Sequence, residues 1–274
     1  MELCGVNIMM RELPSSTKEH DVTVILTYYG QIEKLNEHCK FFSSLPHDLK
    51  SRLHIMFIND GFNDQGAFED IIQAYKPGFN VEGYKVTQDV GFNNHGCRNL
   101  GMLNSKTFWN FLIDIDCFVK EDTYRSILEN ELNPAEYYVF KVHFDHIDNP
   151  EDYDLFDPKK LLKYVCHPNI WLISKPCFWS SGGYDVEFTG MRHGDKEFWM
   201  SIDKEKYEHF LWEPNGEEHS IHVRSPNRAK SYLNQANERA TGLKYILDFV
   251  EKRNEDKEKK LKKSLICFEW RKVV

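Results

Sequence analysis

The sequence predicts an α/β fold in which a mostly parallel central sheet is flanked by helices. Short apolar runs rich in β-branched residues alternate with amphipathic stretches of helical period, which is typical of strands joined by crossover helices. The runs are apolar almost throughout, as buried parallel strands are. Several of them end in polar residues, at the sheet edge where open α/β sheets bind ligands. We therefore expect one continuous domain with a ligand site at that edge.

The first half of the chain contains strands and helices at short spacing. A first strand is predicted at 21–29, and a helix follows at 31–44 with Leu35, Cys39 and Phe42 on one face. Further strands are predicted at 53–58, 81–86 and 108–113, and further helices at 65–75 and 94–104. The second half is less regular, and we expect an acidic loop at 142–158, a strand at 164–174 and a long helix at 234–263.

Charge and cysteine content argue against several classes of protein. Of the 274 residues, 35 are Lys or Arg and 43 are Asp or Glu, which gives a net charge of −8. General nucleic-acid binding needs a cationic surface and is not expected. The seven cysteines form no C-x-x-C pair, so we expect reduced thiols and a cytoplasmic protein. No stretch approaches the roughly 20 apolar residues of a membrane span, although peripheral membrane contact stays open.

A pair of acids, Asp114 and Asp116, directly follows the apolar run at 108–113. Two carboxylates at the end of a buried strand could bind a hard divalent cation such as Mn²⁺ or Mg²⁺. The spacing itself is common, and we discount a second such pair, Asp152 and Asp154, because it falls in the acidic loop. The position is more telling, because two acids at a ligand-binding edge are costly without a counter-ion. An ordinary solvated strand end is the alternative.

Two further segments combine polar residues with glycines. In Ile58-Asn59-Asp60-Gly61, Asp60 either forms the turn and caps the next helix or accepts hydrogen bonds from a nucleoside. The glycines of the segment 91–99 permit close backbone approach, and Arg98 in it could neutralise a carboxylate or a phosphate. This segment lacks the G-x-G-x-x-G pattern, which disfavours a dinucleotide-binding oxidoreductase.

Five segments in this order resemble the motifs of GT-A fold glycosyltransferases, and of family 2 in particular. They are the first strand at 21–29, INDG at 58–61, VGFNNHGCRNLGM at 90–102, LIDID at 112–116 and a segment at 182–198. The last segment also resembles the C-terminal region of β-1,4-galactosyltransferases. The chain departs from the motifs where Asn59 replaces an acid, where Cys97 replaces the usual Ala, and where MRHG at 191–194 replaces W-G-G-E.

The resemblance implies a metal-dependent hexosyltransferase of the inverting type. Its donor would be a UDP-sugar, with UDP-galactose favoured, and its acceptor a glycan or another hydroxyl compound. Residues 21–116 would form the nucleotide-sugar-binding half, 117–233 the acceptor and catalytic half, and 234–274 a helical extension. A nucleotidyltransferase and a catalytically inactive carbohydrate-binding protein of the same fold stay open as alternatives.

The resemblance also assigns donor-site residues. Asp114 and Asp116 would bind Mn²⁺ or Mg²⁺, and either His222 or its rival His219 would be a later metal ligand. The residues expected to hold the nucleotide sugar are Thr27, Tyr29, Asp60, Arg98 and Asp114.

On the acceptor side, the resemblance implies that Asp195 is the general base, and the alternative is an N-cap for a helix starting near Lys196. Trp179, Tyr184 and Glu197 would contact the acceptor. Packing in the core is the alternative for Tyr184.

Overall fold

The computed structural model describes residues 21–89, 93–144, 169–185, 194–224 and 268–274. Its strands are β1 Val22–Tyr28, β2 Leu53–Asn59, β3 Val81–Val86, β4 Trp109–Asp114, β5 Cys117–Val119, β6 Glu136–Val139, β7 Lys141–Phe144, β8 Trp171–Ser174, β9 Glu208–Leu211, β10 Ser220–Val223 and β11 Trp270–Lys272. Its α-helices are α1 Ile32–Ser44, α2 His47–Lys50, α3 Ala67–Tyr75, α4 Asn94–Asn104, α5 Glu121–Glu129, α6 Lys175–Ser180 and α7 Gly194–Ser201.

Within the described ranges, eight strands form one large sheet in the order β11-β3-β2-β1-β4-β8-β6-β9. Strands β1, β2, β3 and β4 are parallel to one another, as the sequence predicts, while β8 and β11 are antiparallel to their neighbours in this set. In the register, Thr27 lies opposite Asp114 and Tyr28 lies opposite Asn59. The carboxyl ends of β1, β2 and β4 therefore meet at one edge, which is where Asp60 and Asp114 lie.

A smaller sheet has the order β5-β10-β7, and its strand β5 is the next strand in the chain after β4. Strand β10 is antiparallel to β5, with His222 opposite Phe118 and Val223 opposite Cys117. The Arg224 backbone N–H donates to the Asp116 carbonyl oxygen at 3.3 Å. The small sheet thus connects the Asp114–Asp116 turn to a segment more than a hundred residues further along the chain.

Helices cover both faces of the large sheet. As a result, β1, β2 and most of β4 are buried on both faces. One hydrophobic cluster contains Leu26 of β1 with Leu35 and Phe42 of α1, and the other contains Ile25 of β1 with Leu100 of α4. Residues 94–102 of α4 are all buried. This helix packs so closely that a Cβ on Gly101 would lie 2.6 Å from Ile25 Cγ2.

The predicted elements of the first half are confirmed, with ends that differ by one or two residues. Of the strand predicted at 164–174, residues 169–174 are described, and the strand begins only at Trp171, with β8 at Trp171–Ser174. The acidic loop predicted at 142–158 is wrong at its start, because residues 142–144 pair with β10 as part of strand β7. The rest of that loop and the helix predicted at 234–263 lie outside the described residues, as do the segments 164–168 and 186–193. Among the residues that are described, no helix has the length and apolar character needed to cross a membrane.

Candidate functional site

A cleft of about 230 Å³ opens at the carboxyl edge of β1, β2 and β4. Its walls come from the strand ends, from the turn after β4 and from the first turn of α4. The residues that line it are Thr27, Tyr28, Tyr29, Gln31, Asp60, Asn94, Asp114, Ile115 and Asp116. The cleft therefore brings together five of the residues that the sequence assigns to nucleotide-sugar and metal binding, namely Thr27, Tyr29, Asp60, Asp114 and Asp116.

Asp114 is held from inside the protein. Its Oδ1 accepts a hydrogen bond of 2.6 Å from the Arg98 guanidinium and one of 3.3 Å from the Asn94 amide. Asn94 in turn accepts a hydrogen bond from the Thr27 hydroxyl. Because α4 supplies both Arg98 and Asn94, this helix fixes the orientation of the carboxylate that ends β4.

Arg98 differs from the expectation that it contacts the nucleoside. Its side chain is fully buried and is not among the residues that line the cleft. The two terminal nitrogens donate to Asp114 and, at 3.0 Å, to the Tyr184 hydroxyl. The sequence allowed for a partner that is either a carboxylate or a phosphate, and the structure has a carboxylate. Arg98 is thus an internal counter-ion that positions Asp114.

Asp60 lies at the other side of the cleft, after β2. Its Oδ2 accepts a hydrogen bond of 2.8 Å from the Asn93 backbone N–H, and its Oδ1 accepts one of 3.4 Å from the Cys97 thiol. Burial raises the pKa of the Asp60 carboxyl to about 7, although these two donors partly oppose the shift. The following Gly61 has φ of +77°, and a Cβ there would lie 2.4 Å from the Gln88 carbonyl oxygen, so the turn needs glycine.

Tyr29 stands at the mouth of the cleft and is 41% exposed. Its ring packs edge-on against Phe62 at 5.1 Å, and its hydroxyl donates to Asp89 at 3.0 Å. An exposed aromatic ring held in this way offers a flat apolar surface beside the carboxylates. Such a surface suits a nucleobase.

A divalent cation fits the chemistry of the turn after β4. In the described part of the chain, Asp114, Asp116 and Cys117 form a group whose potential ligand atoms all lie within 4.8 Å of one another. The two carboxylates are the hard oxygen ligands that Mn²⁺ and Mg²⁺ prefer. Cys117 is fully buried in the core, and its thiol donates weakly to Asp116 at 3.7 Å.

The two histidines proposed as later ligands occupy different positions. His222 lies in β10, its ring 4.9 Å from that of His143, and it is not part of the group formed by the two acids and Cys117. His219 is buried, with Nδ1 3.4 Å from the Thr123 hydroxyl. The choice between them as a metal ligand stays a prediction.

Asp195 lies in the first turn of α7, which begins at Gly194 rather than near Lys196. Its Oδ1 is 2.9 Å from Nε2 of His95, the residue that follows Asn94 in α4. The carboxylate is therefore linked to the helix that also holds Asp114. The sequence pattern did not single out Asn94 or His95, although both fall within the segment at 90–102 that resembles a transferase motif.

The three residues expected to contact an acceptor differ in their exposure. Trp179 of α6 is half-buried, with its ring 4.8 Å from that of Phe178. Tyr184 is fully buried between the rings of His95 and Phe198, which favours the core-packing alternative over stacking on a sugar. Glu197 is also fully buried and accepts a hydrogen bond of 2.8 Å from Ser201, so an acceptor does not reach it in this conformation.

Comparison with known proteins rests on structure, because no protein-family model and no curated protein matches the sequence. A fragment of TarS from S. aureus has a TM-score of 0.52 at 12% identity and covers 75% of this chain and 61% of its own. Mannosyltransferase PcManGT from Pyrobaculum calidifontis, in complex with GDP-Man and Mn²⁺, has a TM-score of 0.54 at 14% identity, with 80% and 62% covered. GalNAc-T7 with UDP, GalNAc and Mn²⁺ has a TM-score of 0.50 at 15% identity, with 75% and 43% covered.

These similarities establish the fold. The chain has the GT-A fold of nucleotide-sugar transferases, with its cleft at the edge where β1, β2 and β4 end. It spans less than two thirds of the length of each of the three chains compared.

Proposed function

We propose that the protein is a glycosyltransferase that moves a hexose from a nucleoside diphosphate sugar to a hydroxyl acceptor. The observation that carries this proposal is the cleft itself, in which Asp60, Asp114 and Asp116 face one space at the carboxyl edge of a GT-A sheet. An anionic diphosphate would bind beside these acids only with a cation between them, which is the arrangement a metal-dependent transferase needs.

The donor we propose is a UDP-hexose, with UDP-galactose favoured by the likeness of the segment 182–198 to β-1,4-galactosyltransferases. Asp60 can accept a hydrogen bond from a nucleobase or a ribose, and the Tyr29 ring lies beside it at the cleft mouth. The compared structures include TarS with UDP-GlcNAc, GalNAc-T7 with UDP and a mannosyltransferase with GDP-Man. GDP-mannose therefore belongs in any test as the competing donor.

We assign the divalent cation, Mn²⁺ or Mg²⁺, to Asp114 and Asp116, with His222 or His219 as a further ligand. When bound, the cation neutralises charge that develops on the diphosphate leaving group. Arg98 and Asn94 hold Asp114 toward the cleft, and the half-buried Asp116 provides the second carboxylate. Of the other acids, Asp60 lines the cleft and would contact the nucleoside, whereas Asp89 accepts the hydrogen bond from the Tyr29 hydroxyl.

For the chemical step we propose that Asp195 is the general base. The acceptor oxygen forms a bond to the anomeric carbon, its proton passes to the Asp195 carboxylate, and the bond from that carbon to the diphosphate breaks with the electron pair leaving on oxygen. One displacement inverts the anomeric configuration. Trp179, which is half-buried on α6, is the aromatic side chain we propose for contact with the acceptor.

We also propose a reducing, cytoplasmic environment. Cys39, Cys97, Cys117 and Cys177 are buried thiols outside disulfides, which is the state expected of reduced structural cysteines. The division into a donor half at 21–116, an acceptor half at 117–233 and an extension at 234–274 is part of the same proposal.

The test is a panel of nucleotide sugars assayed for transfer and hydrolysis, with and without Mn²⁺. We expect UDP-hexose turnover that EDTA abolishes and Mn²⁺ restores, and a product whose anomeric coupling in proton NMR shows inversion. Asp195→Asn should reduce turnover by about two to four powers of ten while UDP and Mn²⁺ binding persist. Nucleotide binding without any turnover would favour the inactive carbohydrate-binding alternative, and a retained configuration would exclude Asp195 as the base of a single displacement.

A further inference from the structure

The contact between His95 and Asp195 joins two segments that lie 100 residues apart in the chain. The His95 side chain is only 2% exposed, whereas the Asp195 side chain is 20% exposed. A carboxylate that acts as a base carries no proton, so in the hydrogen bond of 2.9 Å His95 Nε2 would carry the hydrogen and donate it to Oδ1. This leaves Asp195 Oδ2 as the oxygen available to another group.

The imidazole of His95 is itself fixed by packing. It stacks on Tyr184 with ring centroids 5.1 Å apart and an interplanar angle of 26°, and Tyr184 stacks in turn on Phe198 of α7 at 4.2 Å. The backbone at Gly194, directly before Asp195, also lies close to the His95 ring. A Cβ at Gly194 would be only 2.5 Å from His95 Cε1. Glycine at this position, where the resembled galactosyltransferases have an acid, is what lets α7 start against the histidine.

Helix α4 therefore reaches both halves of the proposed reaction centre. Asn94 lines the cleft and donates to Asp114, while the next residue, His95, contacts Asp195. Three residues later, Arg98 donates to Asp114 and to the hydroxyl of Tyr184, on which His95 stacks. The donor-side carboxylate and the proposed base are thus held by one buried helical turn.

We propose that His95 is a positioning residue that orients the Asp195 carboxylate toward the acceptor hydroxyl. This inference rests on the proposed glycosyl transfer. His95 donates to Oδ1 throughout the step, Oδ2 receives the acceptor proton as the new bond to the anomeric carbon forms, and the diphosphate departs with the electron pair.

The experiment compares His95→Phe with His95→Gln in the full chain. Phenylalanine keeps a ring against Tyr184 but donates nothing, whereas the glutamine amide can donate from a similar distance. We expect His95→Phe to lower kcat by about 10- to 100-fold, because a misdirected base costs on this order, with the KM for the donor and the affinity for UDP in Mn²⁺ unchanged. His95→Gln should recover part of the lost kcat.

A double variant separates positioning from a merely structural role. If His95 acts through Asp195, His95→Phe with Asp195→Asn should be no slower than Asp195→Asn alone, since the two residues act as a unit. Full additivity, or equal losses in the Phe and Gln variants, would overturn the proposal. The matched control is His54→Gln. His54 is another buried histidine, 3.8 Å from the Glu82 carboxylate at the opposite edge of the sheet. Its replacement should leave kcat unchanged.

A measurement independent of activity tests the contact itself. Nitrogen-15 NMR of labelled wild-type protein should place the His95 ring proton on Nε2, and a proton found on Nδ1 alone would overturn the proposal. A wild type that turns over no nucleotide sugar would overturn the proposed function together with this inference. An active wild type whose His95→Phe variant turns over normally would overturn this inference alone.

Discussion

The fully buried guanidinium of Arg98 donates a hydrogen bond of 2.6 Å to Asp114, the carboxylate at the end of β4. The pair lies beneath the cleft, and Asp114 is itself only 4% exposed. A buried carboxylate without a cationic partner would be strongly destabilising. The ion pair with Arg98 therefore allows the Asp114 carboxylate to face the cleft although Asp114 is almost inaccessible to solvent.

Replacement of Arg98 should cost stability as well as activity. In Arg98→Met, Asp114 loses its internal counter-ion, and we expect the free energy of unfolding to fall by about 3–5 kcal/mol. Urea denaturation measures this value. Arg125→Met is the control, because Arg125 pairs with Asp48, Glu121 and Glu129 at the surface and its loss should matter far less. Equal effects of the two substitutions would show that Arg98 is not the counter-ion inferred here.

Substitution of Asp116 should separate metal binding from folding. Asp116 is half-buried, and Asp116→Asn removes its charge without changing its volume. We expect Mn²⁺ affinity to fall by about tenfold or more, because affinity follows the charge of the ligand set, while the melting temperature changes little. Calorimetric titration with Mn²⁺ provides the measurement. Asp70→Asn on the exposed side of α3 should leave Mn²⁺ affinity unchanged, and an unaltered affinity in Asp116→Asn would move the cation site elsewhere.

The raised pKa of Asp60 should appear in the pH dependence of stability. Its folded-state pKa of about 7 lies above the unfolded value of about 3.9, so folding favours the protonated acid. This contribution is complete below the unfolded pKa and is lost as the pH rises through 7, with a slope of at most about 1.4 kcal/mol per pH unit.

Urea denaturation of the wild type and of Asp60→Asn between pH 5 and pH 8.5 should show this difference. The stability of the wild type relative to the variant should decrease as the pH rises, because asparagine cannot ionise. Parallel curves for the two proteins would mean that Asp60 is already ionised in the fold at pH 5.

Helix α4 packs so closely on β1 that replacing Gly101 with a residue of higher helix propensity should lower the stability of the protein. Alanine would add about 1 kcal/mol of helix propensity. Its Cβ, however, would lie 2.6 Å from Ile25 Cγ2, and overpacking of this kind costs about 1–3 kcal/mol. We expect Gly101→Ala to lower the melting temperature, whereas Leu103→Ala at an exposed site of the same helix should change it little. A stabilised Gly101→Ala protein would show that the helix moves away from the strand at little cost.

The sequence alone determined the alternating architecture of the first half. Long apolar runs such as β1 and β2 and helices such as α1 and α4 have patterns that are strong enough to read locally. It also placed Asp60 and Asp114 at the carboxyl ends of two buried strands, β2 and β4, because the order of polar residues after buried strands is a local property. Strands of three or four residues, such as β5, β9 and β11, were missed because so short a run carries no clear period.

The tertiary structure decided where the side chains point. Nothing in the sequence indicates that Arg98 turns inward to Asp114 and Tyr184, or that His95 meets Asp195 across 100 residues. These contacts depend on how α4 packs against β1 and against the start of α7, where Gly101 and Gly194 permit the approach. The sequence around a polar residue next to a glycine does not indicate whether its side chain faces a ligand or the core. Packing between distant segments of the chain determines where that side chain points.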